Sequence, residues 1–542
     1  MEEQKCEKPK SDDFRIHLII GITGHRDLLP EDKDVIKKKI KEFFDELKKK
    51  LPNTPLLLLT LLAEGADRLA AEVAKEEGIK YIAVFPLPEE YYKKDFPNTV
   101  EEFEDLKKHA LGCIDPVEDL KKHALGCIEL PVKDETQSIK EYGPERDKRY
   151  EAAGAFIVKH SQILLALWDG EKSNLTGGTC QMIKFGLEGL PSEYAPHRTA
   201  LDPKDNGPVY HIKVRRMKSY NPSEQYNAES KWLWPEGTNE ETYFGKNGIF
   251  TKFDAFNKEA KKLSQEDIEK SRLELAPKEV ADKENFVSHI YAEADAIAIN
   301  NRNSWNHYLI TIIGIAAGLF ALFLVYTYLN IFYFLIAYLV FYIAFVVLFN
   351  IYNLPHKFHQ SYVEFRVLAE GLRVEFFLKL AGMHEDVADL YLRKHKRHLE
   401  WIREVLRSSN VFDLQNVHDF NAIKEYWIDK QIYYFCKASV KNKNRADLLR
   451  RISFILFIIG LCSAAVATIA AFLFYAGISN SNLKLIISLS VLSLISFSNL
   501  KLIISLSVLS LISFPSIAGL IDVYIDRSRM EDTAEEYFRM KE

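Results

Sequence analysis

From residue 309 to residue 352 the chain is almost wholly apolar. A helix crossing a bilayer uses about 20 such residues, so this run predicts two membrane helices turning near Asn330. Ile452 to Tyr475 predicts a third span and Leu502 to Ile521 a fourth. Trp305, Tyr308, Tyr352 and Tyr475 lie near the ends of these runs, where amphipathic rings settle at a lipid–water boundary. The segment from Pro355 to Arg451 is rich in Lys and Arg, including 393–397 (RKHKR) and Arg450-Arg451, whereas the turns near Asn330 and at Gly477–Asn482 carry neither. Positive charge is retained on the cytoplasmic side. The expectation is therefore a multi-pass protein of the cell (inner) membrane with both termini in the cytoplasm.

Apolar residues make up 47% of the chain but charged residues make up 27%, so a large part must fold in water. A net charge of -5 without a long basic block gives no reason to expect nucleic acid as a partner. The six cysteines form no CxxC and no metal-ligand spacing, which fits a reducing compartment and predicts no disulfide framework and no metal. The pairs His356/His359 and His395/His398 lack carboxylate or cysteine companions at defined spacing, so they read as a solvated face. No cofactor pattern is present. Met1 to Asp13 is polar and does not read as a signal peptide.

Before residue 290 short buried-strand patterns alternate with helical ones. Strands are expected at His17–Ile22, Leu56–Leu61, Tyr81–Phe85, Ser161–Trp168 and Val209–Val214. Helices are expected at Val35–Leu51, Gly65–Gly78, Glu151–Lys159 and from Thr179. Strict alternation predicts a Rossmann-like, doubly wound parallel sheet of the α/β class, followed by an α-helical membrane domain with two hairpins. Such sheets bind ligands at the carboxyl ends of their strands, and the glycine-marked motifs all fall there. Gly21 and Gly24 permit a sharp turn and close backbone approach; His25 and Arg26 add positive charge or donors beside a helix start, which favours phosphate. Gly177, Gly178 and Thr179 repeat that logic, and Asp67 and Asp169 stand at two further strand ends where a carboxylate accepts ribose hydroxyls. Taken singly, each motif also reads as a tight turn or a helix cap; together, in order, they predict a pocket.

The series GITGHR…LAEGADRL…RDKRYEAAGAFIVKHSQILLALWDG…TGGT resembles the SLOG superfamily, named for its DprA/SMF and LOG members, over roughly residues 14 to 215. The resemblance is strongest to SLOG domains fused to membrane helices in predicted bacterial conflict systems. It implies a Rossmann-like fold, a nucleotide-derived ligand, a homo-oligomer and a role in antiviral defence as a second-messenger sensor. The implied pocket residues are Gly21, Thr23, Gly24, His25, Arg26, Glu64, Gly65, Asp67, Asp169, Gly177, Gly178 and Thr179, with Arg149 and Tyr150 as lesser contributors. The stretches VLAEGLRVEFFLKLAG and ADLYLRKHKRHLEWIREVL also resemble the linker of those membrane-fused proteins.

One departure bears on chemistry. LOG hydrolases carry PGGxGTxxE, whose glutamate takes part in cleaving an N-glycosidic bond; here Met182 stands where that glutamate is expected. A thioether is neither a general acid nor a general base, which favours binding over hydrolysis and predicts no catalytic residue. Two rivals stay open: a membrane-anchored nucleotide N-glycosidase or phosphoribohydrolase using Glu64, and a constitutive channel or scaffold.

These patterns divide the chain into a ligand-binding domain with a C-terminal extension (14–265), a helical linker (266–307), a first transmembrane hairpin (308–352), a cytoplasmic helical segment (353–451), a second hairpin (452–521) and a tail (522–542). Residues 104–114 recur identically at 118–128, and residues 481–497 at 498–514. Each copy of the second repeat is too short to span until 498–514 joins Pro515–Ile521. Four crossings are therefore expected rather than five, with the upstream copy surplus.

Overall fold

The computed structural model describes residues 14–110, 127–129, 143–173, 175–195, 205–219, 226, 228–329, 332–351, 354–383, 387–390, 399–409, 411 and 419–475. The expected fourth span, the 481–514 repeat, the tail and the turns near Asn330 and at 477–482 lie outside these residues. Within the first repeat, Glu104–Ala110 is helical and Cys127–Ile128 belongs to a strand.

The chain separates into two compact units. One comprises Met1–Ala298 together with Glu364–Ile423; the other comprises Ile299–Val363 and Lys424–Glu542.

The first unit is built on a seven-stranded sheet formed by β1 (Leu18–Gly24), β2 (Leu56–Thr60), β3 (Lys80–Phe85), β4 (Cys127–Glu129), β5 (Ile163–Trp168), β6 (Val209–Lys213) and β7 (Ser230–Leu233). The order is β4-β3-β2-β1-β5-β6-β7. All pairings are parallel except β6 with β7. Helices α1 (Lys33–Lys50), α2 (Ala66–Glu76), α3 (Val100–Ala110), α4 (Pro144–His160) and α5 (Thr179–Glu188) lie between the strands in the chain. The β1 residues Leu18, Ile19, Ile20 and Ile22 are buried, as are Leu57, Leu58 and Leu59 of β2; strands covered on both faces become continuous apolar runs instead of alternating ones. The five expected strands are all present. The edge strands β4 and β7 carry no such apolar run and were not expected.

Connections leave β1 toward β2 and leave β5 toward β6, in opposite directions. The sheet thus has a switch point between β1 and β5, where the loops diverge and leave a crevice beyond the carboxyl ends. Thr23 pairs in register with Ala166 and Gly24 with Leu167 there.

At the amino edge, helix α6 (Ile249–Ala260) is tied to the start of β1 by one buried side chain. Asn257 accepts from the Ile16 amide (3.2 Å) and donates to the Ile16 carbonyl (2.9 Å) and to Thr54 Oγ1 (3.3 Å). Helix α7 (Gln265–Leu275) follows, then α8 (Asn285–Leu329), whose first part belongs to this unit up to Ala298. Glu364–Ile423 also belongs to this unit, although it is distant in sequence. Arg366 donates to Asp295 Oδ1 at 2.6 Å and Arg373 to Tyr291 Oη at 2.6 Å.

In the second unit, α8 continues and is followed by α9 (Phe332–Ile351); α12 (Lys430–Tyr475) comes later, after α10 (Leu354–Leu380) and α11 (Glu400–Ser409). Among the described residues one helix, over Asn285–Phe323, is long and apolar enough to cross a membrane, and only 6% of its apolar window is buried. Phe332–Val347 is apolar but shorter, and the expected third span falls in α12. Ile310, Phe323, Leu339, Phe341, Phe454, Phe457 and Phe472 are exposed large hydrophobic residues of this unit. A core helix of a water-soluble protein hides such side chains.

Candidate functional site

A cavity of about 70 Å³ opens at the switch point, lined by Thr23 and Gly24 at the end of β1 and Arg26 just beyond it, Asp67 from the first turn of α2, Tyr150, Gly154, Ile157 and Val158 from α4, and Gly177, Thr179 and Met182 at the start of α5. Seven of the expected residues therefore meet there: Thr23, Gly24, Arg26, Asp67, Tyr150, Gly177 and Thr179.

Asp67 is the chemical centre of the cavity. It is 5% exposed, and its Oδ1 has no hydrogen-bond partner. Burial penalises the charged form and pushes its pKa up to about 7, against the opposing pull of Arg26 and Arg68. Arg26 lies over the Tyr150 ring, 4.8 Å from its centroid, an arrangement worth about 0.5–2 kcal/mol depending on solvation. Burial lowers the pKa of Arg26, but Tyr150, Tyr92 and Asp95 outweigh it and the net direction is upward. Burial also raises the Tyr150 hydroxyl, which Arg26 lowers and Asp95 raises. Tyr150 donates to Asp95 Oδ2, and Arg146, one turn earlier on α4, holds Asp95 Oδ1 at 2.5 Å. Asp95 and Arg146 are almost wholly buried, so they form a fixed anchor behind the tyrosine.

The glycines serve two purposes. Gly65 has φ +81, and a Cβ there would lie 2.6 Å from the His25 carbonyl; the Ala66 amide donates to that same carbonyl at 3.1 Å. A Cβ on Gly24 would lie 2.9 Å from Leu167 Cβ and would strike Ala66. These two glycines let the corners after β1 and β2 interlock, with Gly24 also lining the cavity. A Cβ on Gly21 would meet Ile157 Cγ2 at 2.6 Å and Ser161 Oγ at 2.7 Å: Gly21 lets α4 pack against β1 and does not line the cavity.

Other expected residues are engaged elsewhere. His25 Nε2 and Arg216 contact Asp169 at 3.1 Å and 3.5 Å. Burial lowers the His25 pKa despite Asp169. For Asp169, burial opposes ionisation, but the Glu171 amide and His25 prevail and hold its pKa low. Asp169 is thus paired within the protein and lies outside the cavity lining. Glu64 accepts a hydrogen bond from Thr99 and does not line the cavity, nor do Arg149 and Gly178. The Gly177 amide donates to Gln181 Oε1 at 2.7 Å, Gln181 Nε2 reaches Glu151 at 2.6 Å, and the Gly178 amide donates to the Leu175 carbonyl at 3.2 Å. The amides of Gly177 and Gly178 are therefore occupied. At the start of α5, no side chain caps the helix.

Met182 is 3% exposed and lines the cavity, with its thioether against Gly154, where a Cβ would strike the sulfur. Its side of the cavity is apolar; the carboxyl group in the lining is that of Asp67. Asp95, Arg146, Gly154 and Met182 were not among the expected site residues. The four-residue step from Arg146 to Tyr150 is a signal that could have found one of them, since residues so spaced share a helix face. Among the described residues no group of three His, Cys, Asp or Glu side chains could hold a metal. No protein-family model, curated protein or solved structure matches the chain.

Proposed function

We propose that this protein is a membrane-anchored sensor that takes a nucleotide-derived ligand in the switch-point cavity of its α/β unit and acts through its apolar helices. The observation that carries the reading is Asp67: a buried carboxyl with an open oxygen, facing a cavity that also holds Arg26 and Tyr150. A buried polar atom without a partner is costly, and a ligand hydroxyl or amino group relieves that cost. Arg26, seated on the Tyr150 ring, supplies positive charge. At about 70 Å³ the cavity holds only a small part of such a ligand, with the remainder lying over the carboxyl edge of the sheet.

The anchoring half of the proposal rests on the apolar helix Asn285–Phe323 and the exposed hydrophobic side chains of the second unit. The multi-pass topology with both termini cytoplasmic, assembly into a homo-oligomer and a role in antiphage defence follow from the charge asymmetry and the SLOG resemblance. Binding is favoured over hydrolysis because Met182 and not a carboxylate lines the cavity at the start of α5.

Equilibrium dialysis of the detergent-solubilised full chain against AMP, ADP and ADP-ribose tests the reading. At least one is expected to bind, with Arg26→Ala weakening it tenfold or more while the variant still melts cooperatively within a few degrees of the native chain. Binding unaffected by Arg26→Ala, or none of the three bound, would overturn the proposal.

A further inference from the structure

A second, larger cavity of about 230 Å³ lies at the opposite, amino edge of the sheet. It is lined by Val158, Ser161 and Gln162 at the end of α4, by Asp205 to Gly207 ahead of β6, and by Glu400, Glu404 and Arg407 of α11. Its charged groups already have protein partners. Asp205, 5% exposed, receives both Arg403 and Arg407, the latter at 2.8 Å. Arg403 also meets Glu400 at 3.2 Å, and Arg407 meets Glu404 at 3.0 Å. A space whose charges are mutually satisfied is a joint between packed elements. What it joins is α11, which belongs to the segment Glu364–Ile423, to the body of the sheet.

Contacts tie this joint to β1 and α4, the two elements that border the first cavity. Gln162 accepts from the β1 amide of Ile19 at 2.9 Å and directs its own amide toward Glu404 at 3.4–3.5 Å. Helix α4 carries Tyr150, Gly154 and Ile157 along the first cavity, and Val158 lines both. Lys159 adds an ion pair to Asp389 at 3.1 Å. Where Gly21 brings α4 onto β1, no space remains for even a methyl group, so α4 cannot shift at one end without displacing what it touches at the other.

We infer that α4 couples the ligand cavity to a latch formed by α11 on Asp205, so that the state of one end sets the stability of the other. The pairing of Asp205 with Arg403 and Arg407 holds the latch, and the cavity beside it leaves the helix without close protein packing on that side. The ligand reading enters only in naming what pushes α4; the coupling itself stands on the packing. Coupling of this kind is reciprocal, which makes it measurable without a ligand.

Hydrogen–deuterium exchange of the full chain in detergent supplies the test. Asp205→Asn removes one charge from the latch, and Glu404→Gln is a milder variant should the first fold poorly. Exchange is expected to rise about tenfold over 400–409 and at least threefold over 150–158, with α1 (33–50) unchanged. The wedge Gly21→Ala should produce the converse, loosening 400–409 from the middle of α4. A rise confined to 400–409, or one shared equally by 33–50, overturns the inference. Failure here leaves nucleotide binding intact, and failure to bind nucleotide leaves this result intact.

Discussion

Replacing Asp67 with asparagine gives a stability change whose sign reverses the usual expectation for losing a carboxylate. Burial lifts the Asp67 pKa from 3.8 to about 7, so the folded protein holds this proton more tightly than the unfolded chain does. Where the folded state binds more protons, stability falls with rising pH. The loss begins as pH rises past the unfolded value near 4 and is complete above about 7. Over the whole window it amounts to at most about 4 kcal/mol, at 1.36 kcal/mol per pH unit. A carboxamide at this position cannot ionise and removes the dependence. The stability of Asp67→Asn relative to the native chain should therefore widen in the variant's favour by about 2–3 kcal/mol between pH 5 and pH 8. With about 2 cal/mol/K of unfolding entropy per residue and a unit of this size, that is a relative rise in melting temperature of about 3 °C. The six tryptophans allow the melt to be followed by intrinsic fluorescence in detergent at both pH values. Comparing variant with native protein cancels other titrating groups, Glu293 among them, whose burial raises its pKa to about 8. A constant offset at the two pH values, or a relative loss at pH 8, would refute a buried, proton-holding Asp67.

Two further outcomes follow from the same corner. Gly65→Ala must adopt a positive-φ backbone outside the usual regions of L residues, at a cost of about 1–3 kcal/mol, and its methyl group would force apart the corners that interlock at His25; a lower melting temperature and weaker nucleotide retention are expected together. Arg146→Ala leaves the buried Asp95 carboxylate without its cation, and breaking a buried pair costs about 3–5 kcal/mol. The double variant Asp95→Leu/Arg146→Met should recover part of that loss, which denaturation midpoints of the single and double variants will show.

The alternation of apolar runs and helical spacing was enough to read the central strands, because strands covered on both faces need uninterrupted Leu, Ile and Val. The edge strands escaped that reading: β7 is Ser-Lys-Trp-Leu, with no run to see. At the site, residues that project into the crevice because of where a strand ends were legible, hence Thr23, Arg26 and Asp67. Asp169 was not, because its position at a strand end was visible but its pairing with His25 and Arg216 depends on β6 lying alongside. The contact of Gly21 with α4 was hidden for a related reason. A glycine that admits a ligand and one that admits a helix look alike until the helix is placed. The inclusion of Glu364–Ile423 in the α/β unit was also hidden, since the contacts that hold it, such as Asp205 with Arg403, join residues far apart in the chain.

The side chain of Gln181 already fills the place at the Gly177 amide where a phosphate oxygen is expected. An arriving anion must turn that amide group away and, in doing so, release Glu151 from its other end. The displaced group is neutral and the freed carboxylate repels negative charge, so inorganic phosphate by itself gains little at this corner. On the proposed function, ligands that also engage Asp67 or Arg26 would be favoured over small inorganic anions.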